Sequence, residues 1–320
     1  MKPVPFDYVA PRTVRQAVEA LGDPSREARV LAGGQSLIME MRLRRATPRL
    51  VVDINRVGGL GRLTVSAQGT GGAQETGAHG TGGVLEVGAL VRHAAFERPG
   101  AVPGPLGRLF ALAAAEIAHP PIRARGTMAG SLAWAHPASE WCALAVALDA
   151  VLVLDAVDGA RAVAARDFFL GPHLTAREAR ELLTLVRFPL LADGTGVAFA
   201  EHRRTCFSFA QVAVAAAVTL RDGVVEDARI GLANCADRPV RARLAERSLI
   251  GAEIGPPGAR PAAGHPFARA GAVAAERDAG PVPEPYADPD YRRHVAAVLV
   301  RRALREAAAD AERRPEGVDR

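Results

Sequence analysis

Apolar positions recur along this chain with two different periods, and the changes of period mark out its parts. Val14, Ala17, Val18 and Leu21 fall at helical spacing behind the capping box Thr13-Val14-Arg15-Gln16, and Gly22 ends that helix. A short strand over 28–31, a helical stretch over 36–45 and a strand over 50–54 then make a β-α-β-like unit across residues 1–55. Strands are predicted at 63–67 and 84–88. Between them, 68–83 is rich in Gly and poor in apolar residues, so it reads as a mobile surface loop on a hairpin whose replacement by a short turn leaves function intact. A helix over 106–117 ends at His119-Pro120-Pro121, because a residue before proline avoids the helical region. The apolar run 142–148, a buried strand over 149–154 and a charged turn at 155–161 close this part of the chain.

Beyond residue 176 the texture turns to β-type segments at 182–188, 196–202, 208–220 and 224–233. Asp193-Gly194 and Asp222-Gly223 supply turns, so three consecutive antiparallel strands are expected, followed by helices at 240–250, 267–277 and 290–308. The fold class is α+β. One domain covers 1–175, with subdomains 1–55 and 56–175, a C-terminal α+β domain covers 176–308, and 309–320 form a disordered tail.

Composition removes several classes of function. The charge of +5 is scattered and carried mostly by Arg, and aromatics are only 5%, so the chain lacks the interleaved basic and aromatic surface of a nucleic-acid binder. No apolar run approaches the length of a membrane span, and the N-terminus lacks the basic and apolar regions of a signal peptide, which points to the cytoplasm. Cys142, Cys206 and Cys235 are odd in number and widely spaced, which suits free thiols rather than a disulfide framework or an iron–sulfur site within this chain.

The chemistry is concentrated in two short runs, Ala32-Gly33-Gly34-Gln35-Ser36 and Thr127-Met128-Ala129-Gly130-Ser131. Small side chains let another molecule approach the backbone, and successive amides can hold an anion without a cationic residue. Two such loops suggest the halves of a clamp on a diphosphate. Neither has the glycine spacing of the dinucleotide fingerprint or the lysine of a Walker loop.

Taken in order, AGGQSL at 32–37, LVVDI at 50–54, VGA at 87–89, IRARGTMAGSLAWAHPASE at 122–140, LDA at 148–150, AARDFFLG at 164–171 and ELLTLVRFP at 181–189 closely resemble the FAD-binding medium subunits of the xanthine dehydrogenase and carbon monoxide dehydrogenase family. The segments RIGLANCADRPVRA and YRRHVAAVLVRRAL carry the likeness through the rest of the chain.

The resemblance implies a PCMH-type domain holding FAD in a cleft between its two subdomains, with the pyrophosphate on the amides of 32–36 and 127–131. Val30, Leu31 and Leu37 would line the same wall, Ile117 would lie against the flavin, Glu140 would face the nucleotide and Leu183 would pack on the cofactor from the C-terminal domain. It further implies an electron-transfer subunit without catalytic residues or metal of its own, taking electrons from a [2Fe-2S] small subunit that are released at a molybdopterin-binding large subunit, in a dimer of heterotrimers. A self-contained flavin oxidase and an FAD-free scaffold are the rival readings. Departures from the family pattern are Ala124 for Asn, Ala129 for Gly, Ser131 for Asn, His136 for Asp or Ser, and Ser208 for the Asp of an Arg-x-Gly-Asp-Phe motif. His119 and His136 read as a turn residue and a pocket wall. Arg203 and Arg204 fit either the flavin mouth or a partner surface.

Overall fold

Three parallel strands open the chain. The computed structural model describes residues 2–23, 25–67, 82–255 and 264–313. β1 (Asp7–Val9), β2 (Ala28–Leu31) and β3 (Leu50–Asp53) order as β1-β3-β2, with α1 (Val14–Leu21) and α2 (Leu37–Arg42) in the crossovers. The Thr13 hydroxyl caps α1 by accepting from the Gln16 N–H, and α1 buries Ala17, Val18 and Leu21, the face given by their spacing.

The second subdomain is built on a five-stranded antiparallel sheet. Its strands β4 (Leu63–Ala67), β5 (Gly83–Gly88), β6 (Val151–Ala156), β7 (Gly159–Ala164) and β10 (Leu182–Pro189) run in the order β4-β5-β10-β6-β7. Between β5 and β6 come α3 (Gly104–Glu116), α4 (Pro120–Arg123), α5 (Met128–Trp134) and α6 (Glu140–Ala147), and between β7 and β10 come α7 (Ala165–Phe168) and the small hairpin β8 (Phe169–Gly171) and β9 (Leu174–Thr175). Phe96, Phe110, Trp141 and Phe188 lock helices to sheet, with neighbouring ring centroids 4.9–5.5 Å apart.

The last part pairs β11 (Gly196–His202), β12 (Val212–Arg221), β13 (Val224–Ala233) and the two-residue β14 (Val240–Arg241) in an antiparallel sheet, with α8 (Arg243–Arg247), α9 (Pro266–Val273) and α10 (Pro289–Glu312). α10 lies across β11 and β12 so closely that a Cβ on Gly196 would come within 1.9 Å of the Ala307 carbonyl oxygen. On the other side α6 crosses β13 where a Cβ on Gly231 would stand 2.6 Å from the Ala143 carbonyl, so a small-residue contact joins the N-terminal part to the C-terminal sheet.

Four expectations change here. The strand at 182–188 is not part of the C-terminal sheet: β10 is the centre of the five-stranded sheet, pairing with β5 and β6, because alternating apolar residues specify a strand but not its neighbour. The C-terminal sheet has three long strands plus β14, which takes the first two residues of the helix expected at 240–250. Residues 309–312 belong to α10 rather than a tail, since Ala311 is buried and Asp310 accepts from Arg108 at 3.0 Å and from the Val197 N–H at 3.1 Å. Residues 314–320, and 68–81 of the loop expected at 68–83, lie outside the described residues.

Candidate functional site

A cavity of about 620 Å³ opens where the two N-terminal subdomains and the β11–β12 connection meet. One wall is the loop after β2. Gly34 has φ +75, which a branched residue resists, and this lets the chain reverse from strand into helix within a few residues. The Ile38 N–H returns to the Gly34 carbonyl at 3.2 Å and the Gln35 side-chain amide donates to the Gly33 carbonyl at 3.0 Å. Among the described residues no protein acceptor meets the backbone N–H groups of Gly33, Gly34, Gln35 and Ser36. Four successive free amides beside a cavity form an anion-binding concavity.

This loop is held from behind. Asn55 donates to the Ala32 carbonyl at 2.8 Å and to Asp53 at 2.6 Å, while Arg92 donates to the Asn55 side-chain oxygen at 2.6 Å and also to the Arg125 carbonyl. Tyr8 donates to Asp53 at 2.5 Å, and the Tyr8 and Asn55 hydrogen bonds hold the Asp53 carboxyl below its ordinary value against its partial burial. The two loops touch. A Cβ on Gly33 would stand 2.3 Å from the Arg125 carbonyl and 2.7 Å from the Gly126 Cα, so this glycine is demanded by loop-to-loop contact. A second cavity of about 440 Å³ lies on the other face of the same loop, bounded by Leu31, Arg42, Asp53, Asn55 and Arg125.

The second loop is differently built. The Thr127 hydroxyl caps α5 by accepting from the Gly130 N–H at 3.0 Å, the Met128 N–H goes to the Val91 carbonyl at 3.3 Å, and the Ser131 and Ser139 hydroxyls bond each other at 2.7 Å. Its polar groups are largely satisfied within the protein. Beneath it, buried His93 accepts from the Trp141 indole N–H at 2.9 Å; burial, then Arg123 and Arg92, lower it to about 4 and keep it neutral.

The remaining wall, Trp134, His173, Phe207, Phe209 and Glu140, is aromatic and acidic, with His136 and His119 packed behind it. His136 stacks on Phe209 at 4.1 Å, Trp134 packs beside His136 and His173, and Phe207, held at φ +63, lies 4.3 Å from His119. Burial and then His173 push His136 down to about 4, so it is an uncharged stacking surface. Glu140, the first residue of α6, faces the cavity; burial raises its carboxyl to about 7, against its own backbone amide and Arg203. Arg203 ion-pairs with Glu116 and Glu201 and does not line the cavity, while Arg204 lies 4.3 Å over the Tyr286 ring.

Of the residues expected from sequence, Val30, Ala32, Gly33, Gly34, Gln35, Ser36 and Leu37 line the cavity on one side. Ile117, Thr127, Gly130, Ser131 and Glu140 line it on the other. Leu31 faces the second cavity, while Met128 and Ala129 turn their side chains into the core. Leu183 does not reach the cavity: it is buried in β10, paired with Leu154, for the reason that moved that strand. Sequence reasoning missed Asn55, Arg92, His93 and Phe207. Asn55 stands one residue past the LVVDI segment, the only signal that pointed near it. Among the described residues no group of three His, Cys, Asp or Glu side chains could hold a metal, and no helix is long and apolar enough to cross a membrane.

Comparison with known proteins agrees with this geometry. Residues 4–191 match the family described as the FAD binding domain in molybdopterin dehydrogenase, and residues 197–307 match the CO dehydrogenase flavoprotein C-terminal domain. The chain is 33% identical to the 6-hydroxypseudooxynicotine dehydrogenase complex subunit alpha of Paenarthrobacter nicotinovorans, over 100% of both chains. It is 34% identical to the carbon monoxide dehydrogenase medium chain of Afipia carboxidovorans, over 98% of this chain and 100% of that one. A solved carbon monoxide dehydrogenase chain from Hydrogenophaga pseudoflava superposes with a TM-score of 0.83 at 33% identity, over 97% of this chain and 99% of that one.

Proposed function

We propose that this chain, which belongs to the family of FAD-binding subunits of molybdopterin dehydrogenases, works as the electron-transfer subunit of a molybdenum hydroxylase complex. In this reading electrons reach it from [2Fe-2S] clusters of a small subunit, having been released at a molybdopterin-binding large subunit, and leave to an external acceptor. The complex is a cytoplasmic dimer of such heterotrimers. The carrying observation is the run of free amides at 33–36 against a cavity of about 620 Å³, a fit for a diphosphate attached to a large planar cofactor.

FAD, when bound, supplies the redox chemistry by accepting electrons and passing them on. The chain's own part is to hold and orient it. Gly33 to Ser36 present amides to the diphosphate, Asn55 and Arg92 keep that loop in shape, and Thr127, Gly130 and Ser131 form the facing edge. Val30, Leu37 and Ile117 give an apolar lining, and Glu140 faces the nucleotide. Trp134 and Phe209, backed by His136, offer flat surfaces that exclude water from a ring system. Ala129 and Ala124 are small enough to preserve the second loop's path.

The test is co-expression with the neighbouring encoded chains. A complex carrying molybdenum, two iron–sulfur clusters and one FAD per heterotrimer, in which substrate bleaches the flavin only when all three chains are present, is the expected result. Turnover of a small molecule by the isolated chain at enzymatic rates would replace the relay with a self-contained flavin oxidase. Gly34→Val, which forces a branched side chain onto φ +75, is expected to lower flavin per chain severalfold without abolishing folding.

A further inference from the structure

One buried residue ties the two sides of the aromatic wall together. Phe209, in the β11–β12 connection, lines the cavity, and His136, in the α5–α6 connection, stacks behind it with ring centroids 4.1 Å apart and planes 13° from parallel. The two rings come from distant parts of the chain, and among the described residues no hydrogen bond runs directly between 134–139 and 203–211. A stacked pair is weak and accepts several offsets, so it does not fix its own position. Asn234, one residue past β13 and buried, makes the missing connection. Its backbone N–H donates to the Pro137 carbonyl at 2.8 Å and its side-chain amide donates to the Ala210 carbonyl at 3.0 Å, one residue past each stacked ring. The Asn234 carbonyl accepts in turn at 2.8 Å from Arg292, which is fully buried near the start of α10 and ion-paired with Glu284 at 3.5 Å. Reaching all three partners takes a backbone turned to φ +58, a conformation that asparagine tolerates better than most residues.

We propose that Asn234 is a positioning residue for the bound cofactor: by holding Pro137 and Ala210 together it keeps Phe209 flat against His136, and so holds the face on which the cofactor's ring system packs. The proposal rests on the flavin reading for what packs there, while the clamp itself is a property of the chain. It also makes the C-terminal part a support of the site. Among the described residues none of β13 or α10 lines the cavity, yet through Asn234 and Arg292 they set the place of one of its walls. His136 suits the backing role because its Nδ1 accepts from the Ala138 N–H at 3.1 Å, which fixes the ring's orientation from its own connection. A residue that only joined two parts of the fold would affect stability alone; one that holds the wall also affects what the wall excludes.

Asn234→Gly removes the bond to Ala210 while fitting φ +58 and keeping the bond to Pro137, so it tests the side chain without straining the backbone. Acrylamide quenching of tryptophan fluorescence in the FAD-free full chain reads the wall directly. Trp141 is fully buried, and Trp134, the other tryptophan, lies 5.1 Å from the His136 ring and 6.1 Å from that of Phe209. Quenching should rise in Asn234→Gly as the wall loosens. The FAD dissociation constant should rise about two- to tenfold, the range that one hydrogen bond supplies. In a Phe209→Ala background the same substitution should add no further loss, because the ring it positions is gone. Asn234→Asp, which sets a carboxylate oxygen against the Ala210 carbonyl, should move both readings the same way and supplies them if the glycine variant does not fold. Unchanged quenching, an equal loss of affinity in both backgrounds, or failure of both variants to fold overturns the proposal. A chain that takes up no FAD defeats the electron-relay reading, while quenching in the FAD-free chain still decides whether Asn234 holds the wall.

Discussion

The two glycine-bearing loops look like equivalent halves of a clamp in the sequence, yet they are built on opposite plans. In the first, the amides of 33–36 are free and the carbonyls are tied from behind by Asn55 and Gln35. In the second, Thr127 takes the Gly130 amide, Val91 takes that of Met128, and Ser131 is occupied by Ser139. The difference teaches that one loop supplies the hydrogen bonds and the other the shape. A loop that spends its donors internally is rigid before a ligand arrives, whereas one that keeps them free has an unmet demand that an anion satisfies.

The contact between the loops is where this comparison breaks most easily. Gly33→Ala sets a Cβ against the Arg125 carbonyl, backbone that cannot swing aside, so the expected outcome is loss of nearly all FAD and a destabilisation of about 2–3 kcal/mol. Flavin per chain and thermal melting read both effects. Retention of full flavin occupancy would mean that the loops part without consequence. The next largest effect is expected from Asn55→Ala, which frees the Ala32 carbonyl and the Arg92 guanidinium while leaving the amides themselves untouched. Losing hydrogen bonds of this kind costs about 1–3 kcal/mol of stability, read as a lower melting temperature, and loosening the loop that presents the amides should weaken FAD binding at least about tenfold in a titration.

On the second loop the ratio reverses. Thr127→Ala removes the α5 cap and should lower stability by about 1 kcal/mol while reducing FAD affinity less than Asn55→Ala does; Thr127→Ser should restore both. If Thr127→Ala weakened FAD more than Asn55→Ala, the division of labour between the loops would be wrong.

Much of this was legible in the sequence, and the reasons for the gaps are physical. Runs of small residues at 32–36 and 127–131 announce places where backbone is approached, and both line the cavity. The sequence does not say what approaches. Gly33 is small because Arg125 lies against it, a contact between residues far apart in the chain that no local pattern records. Asn55 was missed for the same reason, since its partner Ala32 sits on another strand. Leu183 was misplaced because the 182–188 pattern is compatible with either sheet, and only the pairing of β10 with β5 and β6 decides. Glu140 was singled out only through the family resemblance. Glu201 drew no notice in the sequence, and it becomes notable only once Arg203 and Glu116 are seen beside it.

The smallest effect at neutral pH, and the one that separates the loops most selectively, concerns His93. It lies under the second loop, donating its backbone N–H to the Gly126 carbonyl at 3.0 Å and packing its ring so tightly that a Cβ on Gly126 would stand 2.7 Å away. The folded state lowers it from 6.5 to about 4, so the unfolded chain binds a proton that the folded chain refuses. Its contribution is therefore complete above pH 6.5 and is lost as pH falls from 6.5 through about 4. Glu140 and Glu201 act in the opposite direction, because their folded values are raised: their stabilisation is complete below pH 4.5 and is lost as pH rises from there towards about 7 and about 8. Comparison of wild type with His93→Gln, which keeps an acceptor for the Trp141 indole, isolates the histidine from that background. Thermal melts between pH 4 and 8 should coincide in slope above pH 6.5, and below it the wild type should lose up to about 1.4 kcal/mol per pH unit more than the variant. Flavin release on acidification should follow the same order, later in His93→Gln than in the wild type, because the second loop gives way first. Identical acid slopes for the two proteins would place the acid-sensitive part of the site elsewhere.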